Sequence, residues 1–288
     1  MSSIEIKASK PGPGLYVVAT PIGNLSDISI RALEVLSNCD RIACEDTRVT
    51  AKLLQRYAIK TPMLAYHEHN EAAQASKILN MLDDGQIVAL VSDAGTPLVS
   101  DPGSRLVASA IDEGHKVIPV PGASSPIAAL SAAGLSAESF LFVGFLPPKK
   151  VARVKRLQTL SDMQATLVFL ESPKRIIATL EDCSVTFGNE RKAVVARELT
   201  KLYETFHRGT LGDLSRDFAA DGAPKGEIVL LIEPGEKNNL EQEEIDERLK
   251  NLLIDHTVKD ASEILSKQTE LPKRDLYQRA LHLKKSNV

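Results

Sequence analysis

Short apolar runs of four or five residues alternate with longer amphipathic segments through the first part of the chain. The runs have the length and β-branched content of buried strands, and the segments between them repeat apolar residues at helical spacing. Strands that alternate with helices in this way predict a parallel sheet with helices on both faces. The predicted strands are residues 15–19, 41–44, 63–66, 87–91 and 116–119, and the predicted helices are residues 28–36, 47–57, 71–82 and 104–113.

The pattern changes at residues 119–125, where the sequence PVPGASS places two prolines and a glycine close together and predicts a domain junction. A second series of elements follows, and residues 204–209 alternate like an exposed strand, which indicates a mixed sheet. We predict an α/β protein with a parallel-sheet domain at residues 1–120, a mixed-sheet domain at 121–236 and a small helical extension at 237–288. The other predicted elements are helices at 125–133, through Arg156 and from Pro173, and strands at 140–145, 166–170, 193–197 and 228–232.

Composition and charge limit the classes of partner. The hydrophobic share of 43% is that of a globular protein, and no apolar run approaches the ~20 residues that span a membrane. Three cysteines without metal-ligand spacing favour a reducing, cytoplasmic location. A net charge of −3 argues against broad nucleic-acid binding, so an RNA would have to meet local basic patches. Two such patches are Lys149, Lys150, Arg153, Lys155 and Arg156, and Lys273, Arg274, Arg279, Lys284 and Lys285.

Three loops follow predicted strands, at the sheet edge where open α/β proteins bind ligands. The loop at residues 19–24 has one glycine and no GxGxxG pattern, so it predicts either a tight turn or a ligand contact but not a phosphate site. The loop at residues 92–103 is rich in small residues, prolines and carboxylates; Asp101 either pairs with an amino group or caps the next helix. The hydroxyls of residues 121–125 either cap a helix or bind the ligand.

Clusters of acidic and basic residues follow three other strands, in the sequences CEDTR (44–48), ESPKR (171–175) and RELTK (197–201). Each has two interpretations, because acidic residues at a helix start also act as caps. The two histidines of the sequence His67-Glu68-His69 could bind a metal, but no third ligand is in view. We expect a solvated loop there rather than a metal site.

Taken in order, these loops resemble the tetrapyrrole methylase family of adenosylmethionine-dependent enzymes, and within it the branch that methylates ribosomal RNA. The similar stretches cover most of residues 14–233, with VSDAGTPLVSDPG and PVPGASS as the most specific pair. The first loop departs from the glycine-rich form of the corrin-pathway members, which disfavours a tetrapyrrole substrate. The remaining stretches are LYVVATPIGNLSDIS, ACEDTR, FVGFLP, FLESPKR, VARELTKLYE and GEIVLLI.

The resemblance implies a two-domain fold of this family, a homodimer, and S-adenosylmethionine bound in the cleft between the domains. It implies methylation of the ribose 2′-oxygen of a cytidine in small-subunit ribosomal RNA, in our interpretation within the assembled 30S subunit. The tail resembles a helix-turn-helix-like extension and is expected to contact RNA. The implied cofactor contacts are Pro21, Gly23, Asp93, Ala94, Gly95, Thr96, Ser124, Ser125, Leu170, Glu171, Leu199 and Gly226.

Transfer to a ribose hydroxyl needs an in-line approach and help in removing the proton. We expect Glu45 or Glu198 to act as the base. Arg48, Arg175 or Lys201 would orient phosphate or stabilise developing charge, and no sequence argument selects among them. Two alternatives stay open, namely a small-molecule methylase that acts on a tetrapyrrole and a ribosome-assembly factor without activity.

Overall fold

A computed structural model describes residues 11–67, 70–222, 224–235, 242–269 and 271–286. The chain forms two compact units, Met1–Pro234 and Gly235–Val288. The first unit holds both sheets, and a division within it at residue 120 stays a prediction. Its first sheet is parallel throughout, in the order β3-β2-β4-β1-β5. The strands are β1 (Gly14–Val18), β2 (Arg41–Cys44), β3 (Met63–Ala65), β4 (Ile87–Val91) and β5 (Val117–Val120).

Helices cover both faces of this sheet, as predicted. Helices α1 (Ile30–Asn38) and α2 (Thr47–Arg56) pack their apolar side chains on one face. Helices α3 (Glu71–Asp83) and α4 (Ser104–Asp112) pack on the other face. The loop after β4 therefore leads to one face, while the loops after its neighbours β1 and β2 lead to the opposite face. This divergence opens a crevice at the carboxyl end of β4, which is where doubly wound sheets bind ligands.

The second sheet is mixed, in the order β6-β7-β10-β8-β9, with β6 and β7 parallel and the other pairs antiparallel. Helix α5 (Ser125–Ala133) packs on one face, and the remaining helices pack on the other. The predicted α/β class with a parallel and a mixed sheet is confirmed. The elements are β6 (Phe140–Phe145), α6 (Lys150–Gln158), β7 (Thr166–Glu171), α7 (Ile176–Phe187), β8 (Lys192–Arg197), β9 (Thr205–Thr210), α8 (Leu211–Asp221) and β10 (Ile228–Ile232).

Two helix starts and one predicted cap differ from the sequence prediction. Helix α1 begins at Ile30 rather than at residue 28, because residues 25–27 already form a turn of 3₁₀ helix and Ser29 caps α1 by accepting the Ala32 N–H at 3.1 Å. Helix α4 begins after Gly103, so Asp101 does not cap it. Helix α7 begins three residues after Pro173, because residues 173–175 form a turn before it.

The prediction that Arg153 contacts phosphate is wrong, because this side chain lies buried between α6 and α7. Its Nε donates to Asp182 Oδ2 at 2.7 Å, and both side chains are 6% exposed. A buried ion pair requires such close contacts, and these contacts leave the Arg153 guanidinium unable to bind RNA. Lys149, Lys155 and Arg156 of the same basic patch are exposed.

The second unit consists of α9 (Gln242–Asp255), α10 (Val258–Thr269) and α11 (Lys273–Ser286). They share a small core of their own, formed by Leu249, Leu265, Leu276, Ala280 and Leu283. Two predicted RNA-binding cations are used inside this unit: Lys273 pairs with Glu263 at 2.6 Å and Arg279 with Asp246 at 2.5 Å. Among the residues described in either unit, we found no helix with the length and apolar character needed to cross a membrane.

Candidate functional site

Hydrogen bonds join the three predicted ligand loops at the carboxyl edge of the first sheet. Thr20 and Gly95 exchange backbone hydrogen bonds of 2.8 and 3.0 Å, and the Thr20 hydroxyl donates to Ser92 O at 3.1 Å. The Thr96 hydroxyl donates to Ala123 O at 3.2 Å. The loops after β1, β4 and β5 therefore form one connected structure rather than separate turns.

The loop after β4 contains two residues in a conformation that L-amino acids avoid. Leu98 and Ser100 have φ values of 74° and 69°. Such residues cost on the order of 1–3 kcal/mol each and cluster at ligand sites, where surrounding contacts hold them. This local strain singles out residues 98–101 as a shaped part of the site.

A cavity of about 260 Å³ lies where these loops meet the second sheet. One part of its wall is apolar, and another carries carboxylates. Burial raises the pKa of Asp101 in this wall; the charge of Asp93 adds to the effect and a hydrogen bond from Ser92 opposes it. This wall suits a ligand that joins an apolar ring to cationic groups. The lining residues are Ile22, Ala94, Val99, Ser100, Asp101, Ser125, Phe145, Leu170, Glu171, Leu199, Glu227, Ile228 and Val229.

The residues expected to contact the cofactor divide into two groups. Ala94, Ser125, Leu170, Glu171 and Leu199 line the cavity. The others are not among the lining residues; Asp93, for instance, accepts the N–H of Asp46 at 2.9 Å and so joins the loops after β2 and β4. The remaining members of this second group are Pro21, Gly23, Gly95, Thr96, Ser124 and Gly226. The sequence analysis missed Phe145 and Glu227 as lining residues, although both lie in stretches that carry the family resemblance.

Gly23 and Gly226 are needed for packing against the loop after β8. A Cβ on Gly23 would stand 2.5 Å from Lys201 Cγ and 2.9 Å from Thr200 Oγ1. Gly226 has a φ of 97°, and a Cβ there would collide with the Glu198 carboxyl group. Both glycines thus allow a close approach of backbone to side chain, which no other residue type permits here.

Glu198, Lys201 and Glu227 form a compact charged cluster, which we call the β8 clamp. Lys201 Nζ lies 2.9 Å from Glu198 Oε1 and 3.1 Å from Glu227 Oε2, and the Glu227 N–H donates to Glu198 Oε1 at 3.0 Å. The Lys201 hydrogen bond, and then the Glu227 N–H, lower the pKa of Glu198. The clamp holds a strained loop, since Glu198 and Thr200 have φ values of 53° and 63°. Glu198 is therefore a weak base with a structural task.

Glu45 has the opposite environment. Burial raises its pKa first, and the negative charges of Asp93, Asp101 and Asp46 raise it further. One of these carboxylates, Asp101, lines the cavity, whereas Glu45 itself is not among the lining residues. A carboxylate that binds protons more tightly than usual is a better general base once ionised.

Two of the predicted catalytic cations already have partners. Arg48 is 88% exposed and pairs with Asp46 at 2.6 Å, and its hydrogen bonds hold the pKa of Asp46 at about 2. Arg175 lies 3.3 Å from the buried Glu171 carboxylate and donates to Leu146 O at 2.7 Å. Arg175 thus joins the loops after β6 and β7. Of the possible histidine site, Glu68 and His69 lie outside the described residues.

A family model described as tetrapyrrole (corrin/porphyrin) methylases matches residues 14–215. The chain belongs to the tetrapyrrole methylase family. A second model, described as the RsmI C-terminal HTH domain, matches residues 239–284. Membership confirms the predicted fold and the predicted enzyme class, a methyltransferase that uses S-adenosylmethionine.

The similarity to curated relatives extends over nearly the whole chain. The ribosomal RNA small subunit methyltransferase I of Mesorhizobium japonicum is 50% identical over 280 residues, which cover 97% of this chain and 95% of that protein. The protein of the same name from Synechocystis sp. is 45% identical, covering 93% and 98%. Among solved structures, the methyltransferase CobJ has a TM-score of 0.59 at 18% identity, covering 77% of this methylase and 94% of CobJ. Diphthine synthase has a TM-score of 0.57 at 17% identity, covering 76% and 89%. These two structures support the fold alone.

Proposed function

We propose that this methylase transfers a methyl group from S-adenosylmethionine to the ribose 2′-oxygen of a cytidine in small-subunit ribosomal RNA. The observation that carries the proposal is the similarity over nearly the full length to relatives named ribosomal RNA small subunit methyltransferase I, the helical tail included. We further propose that it acts as a homodimer on the assembled 30S subunit in the cytoplasm.

The cavity fits the donor, which combines an apolar adenine with cationic sulfonium and ammonium groups. Leu170, Leu199 and Val229 provide apolar surface, and Asp101 provides a carboxylate. Bound S-adenosylmethionine supplies an already activated methyl group. The chain's own task is then to place the ribose oxygen in line and to take its proton.

Of the two candidate bases, Glu45 has the surroundings that support this role, and the β8 clamp is assigned a holding role. Because Lys201 and the Glu227 N–H occupy Glu198, its carboxylate is poorly suited to take a proton. Because other carboxylates surround Glu45, proton uptake there relieves repulsion between like charges. Arg48 stands at the exposed start of α2, where it can meet a phosphate.

The test is mass spectrometry of small-subunit RNA from cells with and without the gene. One ribose methyl group on a cytidine should disappear and return when the gene is restored. An unchanged pattern contradicts the proposal. Isothermal titration of the purified protein with S-adenosylmethionine separates a non-enzymatic assembly factor, which would not bind it. A parallel assay with a tetrapyrrole substrate separates the small-molecule alternative.

A further inference from the structure

Phe145 is exposed where a phenylalanine is normally buried. The ring is 56% exposed, yet it forms part of the cavity wall opposite the loop after β4. The preceding strand residues Leu141, Phe142 and Val143 pack against the cores on the two faces of the sheet. An isolated exposed apolar side chain needs no explanation, but one at the mouth of a ligand cavity does.

A backbone irregularity directs Phe145 to this position. The pairing of β6 with β7 shifts register between Phe142 and Gly144, and Gly144 has a φ of 74°. Bulges of this kind re-aim the next side chain and are frequent beside active sites. Gly144 also lies against the strained loop, since a Cβ there would stand 3.3 Å from Ser100 Oγ.

Exposed lysines follow both β6 and β7. Lys149 and Lys150 lie at the start of α6, and Lys174 lies in the turn after β7. Strands β6 and β7 are parallel neighbours, and Arg175 holds the two loops together through Leu146 O. The exposed ring at the end of β6 is therefore followed by exposed lysines in the segments after β6 and β7.

We propose that Phe145 stacks on the base of the nucleotide whose ribose is methylated, with Lys149 and Lys174 contacting its flanking phosphates. The inference rests on the proposed function. A nucleotide displaced from the RNA stack can bring its ribose oxygen into a cavity, but the displacement loses stacking energy. Proteins compensate with aromatic side chains and cations around the displaced base. Phe145 in the cavity wall and the exposed lysines that follow β6 and β7 offer these two kinds of group.

The test uses the full-length protein with Phe145→Leu, Phe145→Tyr and the control Phe140→Leu. Phe140 begins the same strand and is 42% exposed, but it is outside the cavity wall. Measurements are kcat and KM for small subunits and the Kd of S-adenosylmethionine. Phe145→Leu should raise KM roughly tenfold or more with Kd unchanged. Phe145→Tyr and Phe140→Leu should stay within about threefold of wild type, because one keeps the ring and the other is remote.

Three outcomes overturn the inference. If Phe145→Leu weakens cofactor binding as much as it raises KM, the ring contacts the cofactor instead. If Phe145→Leu behaves like Phe140→Leu while wild type is active, only the stacking role is wrong. If wild type itself transfers no methyl group to the RNA, the proposed function fails and the inference falls with it.

Discussion

Glu45 and Glu198 both follow a strand in an acidic-basic cluster, so the sequence alone gives no reason to assign them different roles. Their surroundings separate them. Glu198 is bound by a lysine and a backbone N–H, which lower its pKa, whereas Glu45 stands among carboxylates, which raise its pKa after burial. Sequence shows which groups are present near a strand end, but the sign of a pKa shift depends on partners from distant elements.

Changing Glu45 to Gln should reduce kcat by ~10²-fold or more, because the ribose proton then has no positioned acceptor. The pH profile of kcat/KM gives the sharper test. In wild type, activity should rise with pH as Glu45 loses its proton, at a higher pH than for an ordinary glutamate. Glu45→Gln should lose this acidic limb. Glu198→Gln is the matched control and should keep the limb while weakening cofactor binding; a lost limb in that variant would reverse the assignment.

Glu45→Gln should also stabilise the protein at neutral pH. Because the folded-state pKa of Glu45 is raised, the folded chain binds this proton more tightly than the unfolded chain. The ionised group therefore opposes folding at high pH, and this cost shrinks as the pH falls through the folded pKa. Thermal melts should show a higher Tm for Glu45→Gln than for wild type at pH 7. The difference should vanish below the ordinary pKa of 4.5; a lower Tm at pH 7 would contradict it.

At the scale of elements, the local sequence pattern predicts strands and helices better than it predicts the contacts between them. The strand at 87–91 is buried throughout, as its apolar residues indicate, and its predicted ends agree with the structure. The loop that the β8 clamp holds, by contrast, contacts residues far away in the sequence: the Asn24 N–H donates to the Thr200 hydroxyl across 176 positions. Nothing local signals that Gly23 must make room for Lys201. The three loops predicted to bind the cofactor stand out in the sequence because their small residues and prolines constrain the backbone itself.

Changing Gly226 to Ala tests the clamp. A Cβ on Gly226 would collide with the Glu198 carboxyl group, so the strained loop and Leu199 should move from the cavity wall. Gly188→Ala is the matched control: its φ of 92° is close to that of Gly226, and no described atom lies within 4 Å of its Cβ. Both variants carry a backbone penalty, because alanine avoids such positive φ values. Gly226→Ala should lose a further ~1–3 kcal/mol in denaturant unfolding and bind S-adenosylmethionine more weakly. If both variants lose stability and cofactor affinity equally, the Glu198 carboxyl group can move aside to accommodate the added Cβ.

At the scale of the whole molecule, a mildly acidic protein must bind a polyanion through a few placed cations. The tail unit uses several of its own charges internally, as in the Lys273–Glu263 pair, and leaves Arg274 and Lys284 exposed. Its core is built from its own helices, and the cofactor cavity lies wholly in the first unit. Donor binding and subunit recognition should therefore be separable.

A chain ending at Pro234 should keep the Kd for S-adenosylmethionine within about threefold and melt cooperatively, because it retains both sheets and the cavity. Its kcat/KM on small subunits should fall at least tenfold, since the tail contacts to RNA are lost. Charge sets the finer test: in the full chain, Arg274→Gln with Lys284→Gln should reduce the salt dependence of subunit binding by about one to two released ions. Lys192→Gln, which removes an exposed cation of the first unit, should leave that dependence unchanged. If the truncated chain methylates subunits as well as wild type, the tail has another role, and recognition of RNA must lie in the first unit, where Phe145 and the lysines that follow β6 and β7 are the candidates.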